Sequence, residues 1–136
     1  MHAEAGMFAW VTPAGWRREA KTPTEVHYTS PDGQQELVGT ASPARGDLAE
    51  TWQASEQNAQ EGEDYQRIRL ERTTFHDAPA VIWEYTFTLK GALWQARLLG
   101  FNVDGASYQI NTWYKSEIEA QAVRIYKEVR ASFTVL

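Results

Sequence analysis

The 136-residue chain contains no cysteine. That absence excludes disulfides, thiol nucleophiles, cysteine-ligated zinc and iron–sulfur clusters. It is compatible with an oxidising, extracytoplasmic setting without requiring one. No apolar run approaches the roughly 18 residues of a membrane span, so no direct membrane insertion by this chain is expected, and no secretory signal is visible. Positive charge is scarce as well. With 13 basic against 18 acidic residues the net charge is −5, which lacks the basic footprint of a nucleic-acid or anionic-membrane binder. The strongest basic runs, Arg17-Arg18 and Arg67-x-Arg69-x-x-Arg72, read as solvated strand faces.

Catalytic signatures are missing in the same way. There is no G-x-S-x-G, no G-x-G-x-x-G and no P-loop, and Ser107 follows Gly105-Ala106 inside an expected hairpin. None of the three histidines has a metal-ligand partner at useful spacing. His76-Asp77 is the one pair resembling a base and its orienting carboxylate, but neighbours in a turn do not face each other, so a turn is the preferred reading. The acid run Glu61-Gly62-Glu63-Asp64 lacks EF-hand spacing and reads as an exposed loop after a helix. No cofactor and no metal are expected.

What the chain does have is patterning. Hydrophobic residues make up 43% of it and charged residues 23%, ordinary values for one globular domain. Met1-His2-Ala3 reads as a cloning scar, so residues 1–5 are expected to be a scar or linker ahead of a single domain over 6–136. Short strands are expected at Phe8–Val11, Glu25–Thr29 and Glu36–Thr40, with turn chemistry at Pro13, Gly15-Trp16 and Pro31-Asp32-Gly33. Ser42 to Gly46 reads as a loop. Asp47, with Glu50 three residues on, is a capping box that opens a helix carrying Leu48, Trp52, Ser55 and Ala59 on one face and ending by Gly62.

Four strands are expected next. In Tyr65–Phe75, Ile68 and Leu70 alternate with Arg67, Arg69 and Glu71. Ala80–Leu89 places Val81, Trp83, Tyr85, Phe87 and Leu89 on one face. After a turn at Lys90-Gly91-Ala92, Leu93–Val103 has apolar residues of both parities, which implies burial on both faces or a bulge near Gly100. Asp104-Gly105 then turns the chain into Ser107–Tyr114. Ser116 and Glu119 suggest a second capping box, with Ile118, Ala122, Ile125 and Val129 sharing a face, and Ser132–Leu136 adds a short edge strand. The order gives an α+β layered domain.

Six tryptophans are many for this length. Leu93-Trp94 and Trp113-Tyr114 each set bulky neighbours on opposite strand faces, so one of each pair is expected to enter the core. Trp94, Trp113 and Arg97, the last on the parity of Leu99 and Phe101, are the candidate binding residues. The competing reading has both faces of the sheet covered and Arg97 snorkelling outward.

The succession Pro13-Ala14-Gly15-Trp16, Val26-His27-Tyr28, Pro31-Asp32-Gly33, the Trp52 helix, Trp83-Glu84-Tyr85, Gly100-Phe101, Gly105-Ala106-Ser107-Tyr108 and Ser132-Phe133 resembles PsbP-like domains. More narrowly, it resembles the extracytoplasmic C-terminal domains of actinobacterial receptor-type serine/threonine protein kinases. The resemblance implies an α/β/α sandwich, a central antiparallel sheet with flanking helices. It also implies a non-catalytic sensor outside the membrane that meets an extracytoplasmic ligand or protein and acts through ligand binding or as a homodimer. The chain has neither the Gly-rich loop nor the H-R-D and D-F-G signatures, so phosphate transfer would belong to another part of the parent. A freestanding or lipid-anchored PsbP-like interaction module is the alternative.

Overall fold

Alternation along one strand organises the molecule. In the computed structural model, which describes residues 1–136, β7 (Ala78–Leu89) sends Val81 and Trp83 to one face of the sheet and Ala80 and Ile82 to the other, all of them buried. It belongs to a seven-stranded antiparallel sheet of order β3-β4-β5-β9-β8-β7-β6, built from β3 (Arg17–Thr22), β4 (Glu25–Thr29), β5 (Gln35–Pro43), β6 (Gln66–Phe75), β8 (Ala92–Val103) and β9 (Ala106–Lys115). Helix α1 (Leu48–Ala59) lies on one face, over β6, β7 and β8. The other face carries α2 (Glu119–Ser132) and a small sheet of β1 (His2–Glu4), β2 (Phe8–Trp10) and β10 (Thr134–Val135). The result is the expected α+β sandwich.

The larger core fills the α2 side with Phe8, Trp10, Leu37, Ile110 and Phe133 among its fully buried members. The smaller one, under α1, gathers Trp52, Val81, Trp83, Ala96 and Leu98. Each layer presses a tryptophan against a glycine. A Cβ on Gly39 would stand 2.7 Å from Trp10 Cη2, and one on Gly100 would stand 2.5 Å from Trp52 Cζ2. The ladder through Gly100 is regular, so of the two readings of this strand burial on both faces holds and the bulge does not. The glycine admits the indole instead.

Several other expectations need correction. The boundary at residue 6 falls inside ordered structure, because β1 pairs with β2 and Glu4 is buried. Arg17–Thr22 forms an edge strand that its wholly exposed pattern concealed. Ser42 and Pro43 end β5 rather than open a loop. The register of β6 shifts between Arg67 and Arg69, which leaves Ile68 half exposed and sends the two arginines to opposite faces. Asp47 caps α1 through Oδ1, at 2.8 Å from the Ala49 amide. Ser116 does not cap α2: a 3-10 turn (Ser116–Ile118) precedes the helix, and the Ser116 hydroxyl makes no cap bond. Tyr126, not anticipated, is buried and donates to the Ile110 carbonyl at 2.6 Å. No helix is long and apolar enough to cross a membrane.

Candidate functional site

Because α1 packs over β6 to β8, the strands β9, β5 and β4 have no helix above them on the same face. Strand pairing fixes what that face displays. Gln109, Asn111 and Trp113 of β9 stand beside Thr40, Val38 and Glu36 of β5, and on the other side beside Gly100, Leu98 and Ala96 of β8. The strip runs along the flank of α1 and changes character along its length.

At one end is a shelf of about 330 Å³ lined by Phe87, Leu89, Trp94, Trp113, Thr29 and Glu36, among others. It continues an aromatic series on β7: Trp83 and Tyr85 lie 4.6 Å apart between ring centroids, and Tyr85 and Phe87 5.7 Å apart. Trp113 Nε1 donates to the Tyr85 hydroxyl at 3.3 Å, which fixes the indole against that series. Burial pushes the Tyr85 hydroxyl pKa up, so it stays protonated through the physiological range. Beside the shelf, His27 Nε2 lies 2.6 Å from Glu25 Oε2 and Nδ1 lies 3.4 Å from Glu36 Oε1.

At the other end is a cleft of about 340 Å³ between α1 and strands β5 and β9. Its lining is mostly neutral and polar, with Ser42, Thr51, Asn102, Ser107 and Gln109 around the edge of Trp52. Asn111 lies between cleft and shelf. It is 4% exposed, and its Nδ2 donates to Gln109 Oε1 at 3.0 Å. Its Oδ1 and that of Asn102 are buried acceptors without a partner, a costly condition that marks a place where a donor belongs.

The expected binding residues divide between the two faces. Trp94 and Trp113 come together on the shelf. Arg97 points the other way, where its guanidinium lies 3.0 Å from Glu84 Oε2, 3.0 Å from the Tyr114 hydroxyl and 3.4 Å from Glu119 Oε1. Burial lowers its pKa, and the Tyr114 bond and nearby carboxylates more than offset that, leaving the net shift upward. It is an ion-pair member at the start of α2. Tyr114 enters the core as expected of its pair, whereas neither Leu93, 52% exposed, nor Trp94 is fully buried. Their strand emerges there from the Lys90-Gly91 turn.

His76 and Asp77 form the two-residue turn between β6 and β7, both with positive φ, and the imidazole stacks on Phe75 at 3.9 Å. In the acid loop, Thr88 takes both partners: its amide donates to the Glu63 carbonyl and its hydroxyl to Asp64 Oδ2, each at 2.9 Å. The amide floor of Asn102, Gln109 and Asn111 was not anticipated from sequence. Its trace there is the run of Ser107, Gln109 and Asn111 on one parity of β9, where apolar residues would fit a covered sheet.

Residues 1–135 match the family model described as serine/threonine kinase C-terminal domain. No protein of curated function matches the chain by sequence. Among solved structures, cyanobacterial PsbP (CyanoP) from Synechocystis superposes with a TM-score of 0.74 at 12% identity, covering 100% of this chain and 91% of that one. LpqN of Mycobacterium tuberculosis, a protein involved in cell envelope biogenesis, gives 0.71 at 15% identity over 94% and 82%. A putative regulator from Pseudomonas aeruginosa gives 0.62 at 12% identity over 89% and 92%. The fold is PsbP-like.

Proposed function

Since the chain belongs to the serine/threonine kinase C-terminal domain family, we propose that it is the extracytoplasmic sensor of a membrane-anchored kinase and that it reads its ligand on the uncovered face beside α1. The domain is the C-terminal, non-catalytic part of such kinases, and its lack of kinase signatures leaves phosphate transfer to the kinase domain. One observation carries the binding half of the proposal: an aromatic shelf and two unpartnered, buried amide oxygens share a single sheet face. Aromatic surface with a few convergent polar groups is the usual composition of a ligand site. A ligand held between α1 and β5–β9 would favour whichever arrangement of the domain binds it better and shift the kinase population accordingly.

The cysteine-free composition suits an extracytoplasmic position. That position is tested by adding a protease to intact cells producing the full-length kinase with an epitope tag following Leu136. Loss of the tag with survival of the kinase domain is expected. Digestion of the tag only after cells are opened would overturn the extracytoplasmic assignment.

A further inference from the structure

The strip beside α1 also carries information about what fills it. Its floor is neutral: Asn102 and Gln109 supply amides, with Asn111 buried next to Gln109 and bonded to it, and Ser42, Thr51 and Ser107 supply hydroxyls. Charge lies around that floor, with Arg45 at the cleft, Glu36 at the shelf and the Glu25–His27 pair on the flanking strand β4. An anionic or cationic ligand would leave its charge over uncharged amides, which gives it no compensation for lost hydration. Of the buried atoms without a hydrogen-bond partner on this face, the amide oxygens of Asn102 and Asn111 are acceptors. The third, His27 Nδ1, lies at the shelf 3.4 Å from Glu36 Oε1. An occupant of the floor must therefore donate hydrogen bonds. The shelf adds Trp94 and Trp113, flat aromatic surfaces, the Trp113 indole being held in place by its bond to the Tyr85 hydroxyl. Gln109 and Trp113 are four residues apart on β9, about 13 Å along the strand, so cleft and shelf together suit an elongated molecule.

From this combination, and resting on the proposed ligand site, we infer that the face binds a neutral oligosaccharide. A glycan presents hydroxyl donors along its edges, which would satisfy the oxygens of Asn102 and Asn111. It also presents apolar C–H faces that pack on an indole. A peptide is the lesser fit. Strands β4, β5 and β9 are paired on both sides, so none of them offers a free edge for an added strand.

The test is a set of NMR titrations of the 15N-labelled chain. The probes are chitotetraose, cellotetraose, maltotetraose and mannotetraose, with tetra-alanine as the peptide comparison. At least one sugar is expected to move the side-chain amide signals of Asn102, Gln109 and Asn111 together with the indole signals of Trp94 and Trp113. Asn111→Leu, similar in size but without the amide, is expected to weaken that sugar at least about tenfold. Trp113→Ala should do the same while the remaining spectrum stays dispersed. Three results overturn the inference: no sugar moves those signals, shifts map elsewhere, or Asn111→Leu binds as well as the parent chain. If tetra-alanine alone moves them, the glycan assignment falls and the ligand site stands.

Discussion

Glu4, in the small sheet, and Glu56, on α1, are buried carboxylates on opposite faces of the main sheet, and each is held by a forked arginine and a tyrosine. Glu4 accepts from Arg18 Nη2 at 2.7 Å, the Tyr28 hydroxyl at 2.7 Å and Trp10 Nε1 at 3.0 Å. Glu56 of α1 accepts from the Arg67 guanidinium and from the Tyr65 hydroxyl at 2.8 Å, and Trp83 Nε1 donates to that hydroxyl in turn. Burial pushes the Glu4 carboxyl up, but the bonds from Arg18, Trp10 and Tyr28 outweigh it and hold the pKa below its ordinary 4.5. Arg67 lowers Glu56 against a smaller opposing effect of burial. The tyrosines move the other way: burial and the Glu4 bond push Tyr28 up to about 12.

The sign of the pH dependence follows. A carboxyl with a depressed folded pKa contributes stability that is fully present above its unfolded value and is lost as pH falls through the folded one. Thermal stability is therefore expected to be level near neutrality and to decline below pH 4.5. Glu4→Gln should cost about 1–3 kcal/mol at neutral pH and flatten that acid decline, as read from urea unfolding at several pH values. An unchanged acid limb in Glu4→Gln would remove Glu4 from the account.

At the scale of elements, the two glycine contacts explain how a single sheet accepts a tryptophan from each side. Gly39 faces α2 and the small sheet, and Gly100 faces α1. An added methyl at either position must displace a large buried ring. Gly100→Ala and Gly39→Ala are each expected to lower unfolding stability by about 1–3 kcal/mol. Only Gly100→Ala should alter the environment of Trp52, observable in near-ultraviolet circular dichroism. Wild-type stability in Gly100→Ala would contradict the close approach.

The same contact shows where reading from sequence runs out. Apolar alternation in β7 and the Asp47 cap were legible because strand period and capping are local properties. The role of Gly100 was not, since glycine in a strand fits a bulge as well as a close approach and only the position of α1 decides between them. Edge strand β3 was hidden for a related reason: with both faces solvated, Arg17–Thr22 has no alternation to display. For the candidate site, parity correctly separated Trp94 from Leu93 and Trp113 from Tyr114. It could not say that Arg97, paired with Glu84 of β7, would also meet Glu119 at the start of α2, a contact between distant segments. The buried acceptors of Asn102 and Asn111 were likewise invisible until the uncovered half of the sheet was known.

For the whole molecule, the asymmetry of the layers matters most. One face of the sheet is covered by α2 and the small sheet, whereas on the other α1 covers β6 to β8 and leaves β9, β5 and β4 without a helix. That arrangement leaves an uncovered strip beside α1 in a domain that is the non-catalytic C-terminal part of kinases. The most direct test of this account is autophosphorylation of the full-length kinase in living cells, with variants on the two faces compared. Trp113→Ala and Asn111→Leu on the strip are expected to lower it at least about fivefold, with protein level and domain melting temperature preserved. Lys127→Ala, exposed on α2 across the sheet, is expected to leave it unchanged. Full autophosphorylation in both strip variants would contradict the assignment of that face as the sensing surface.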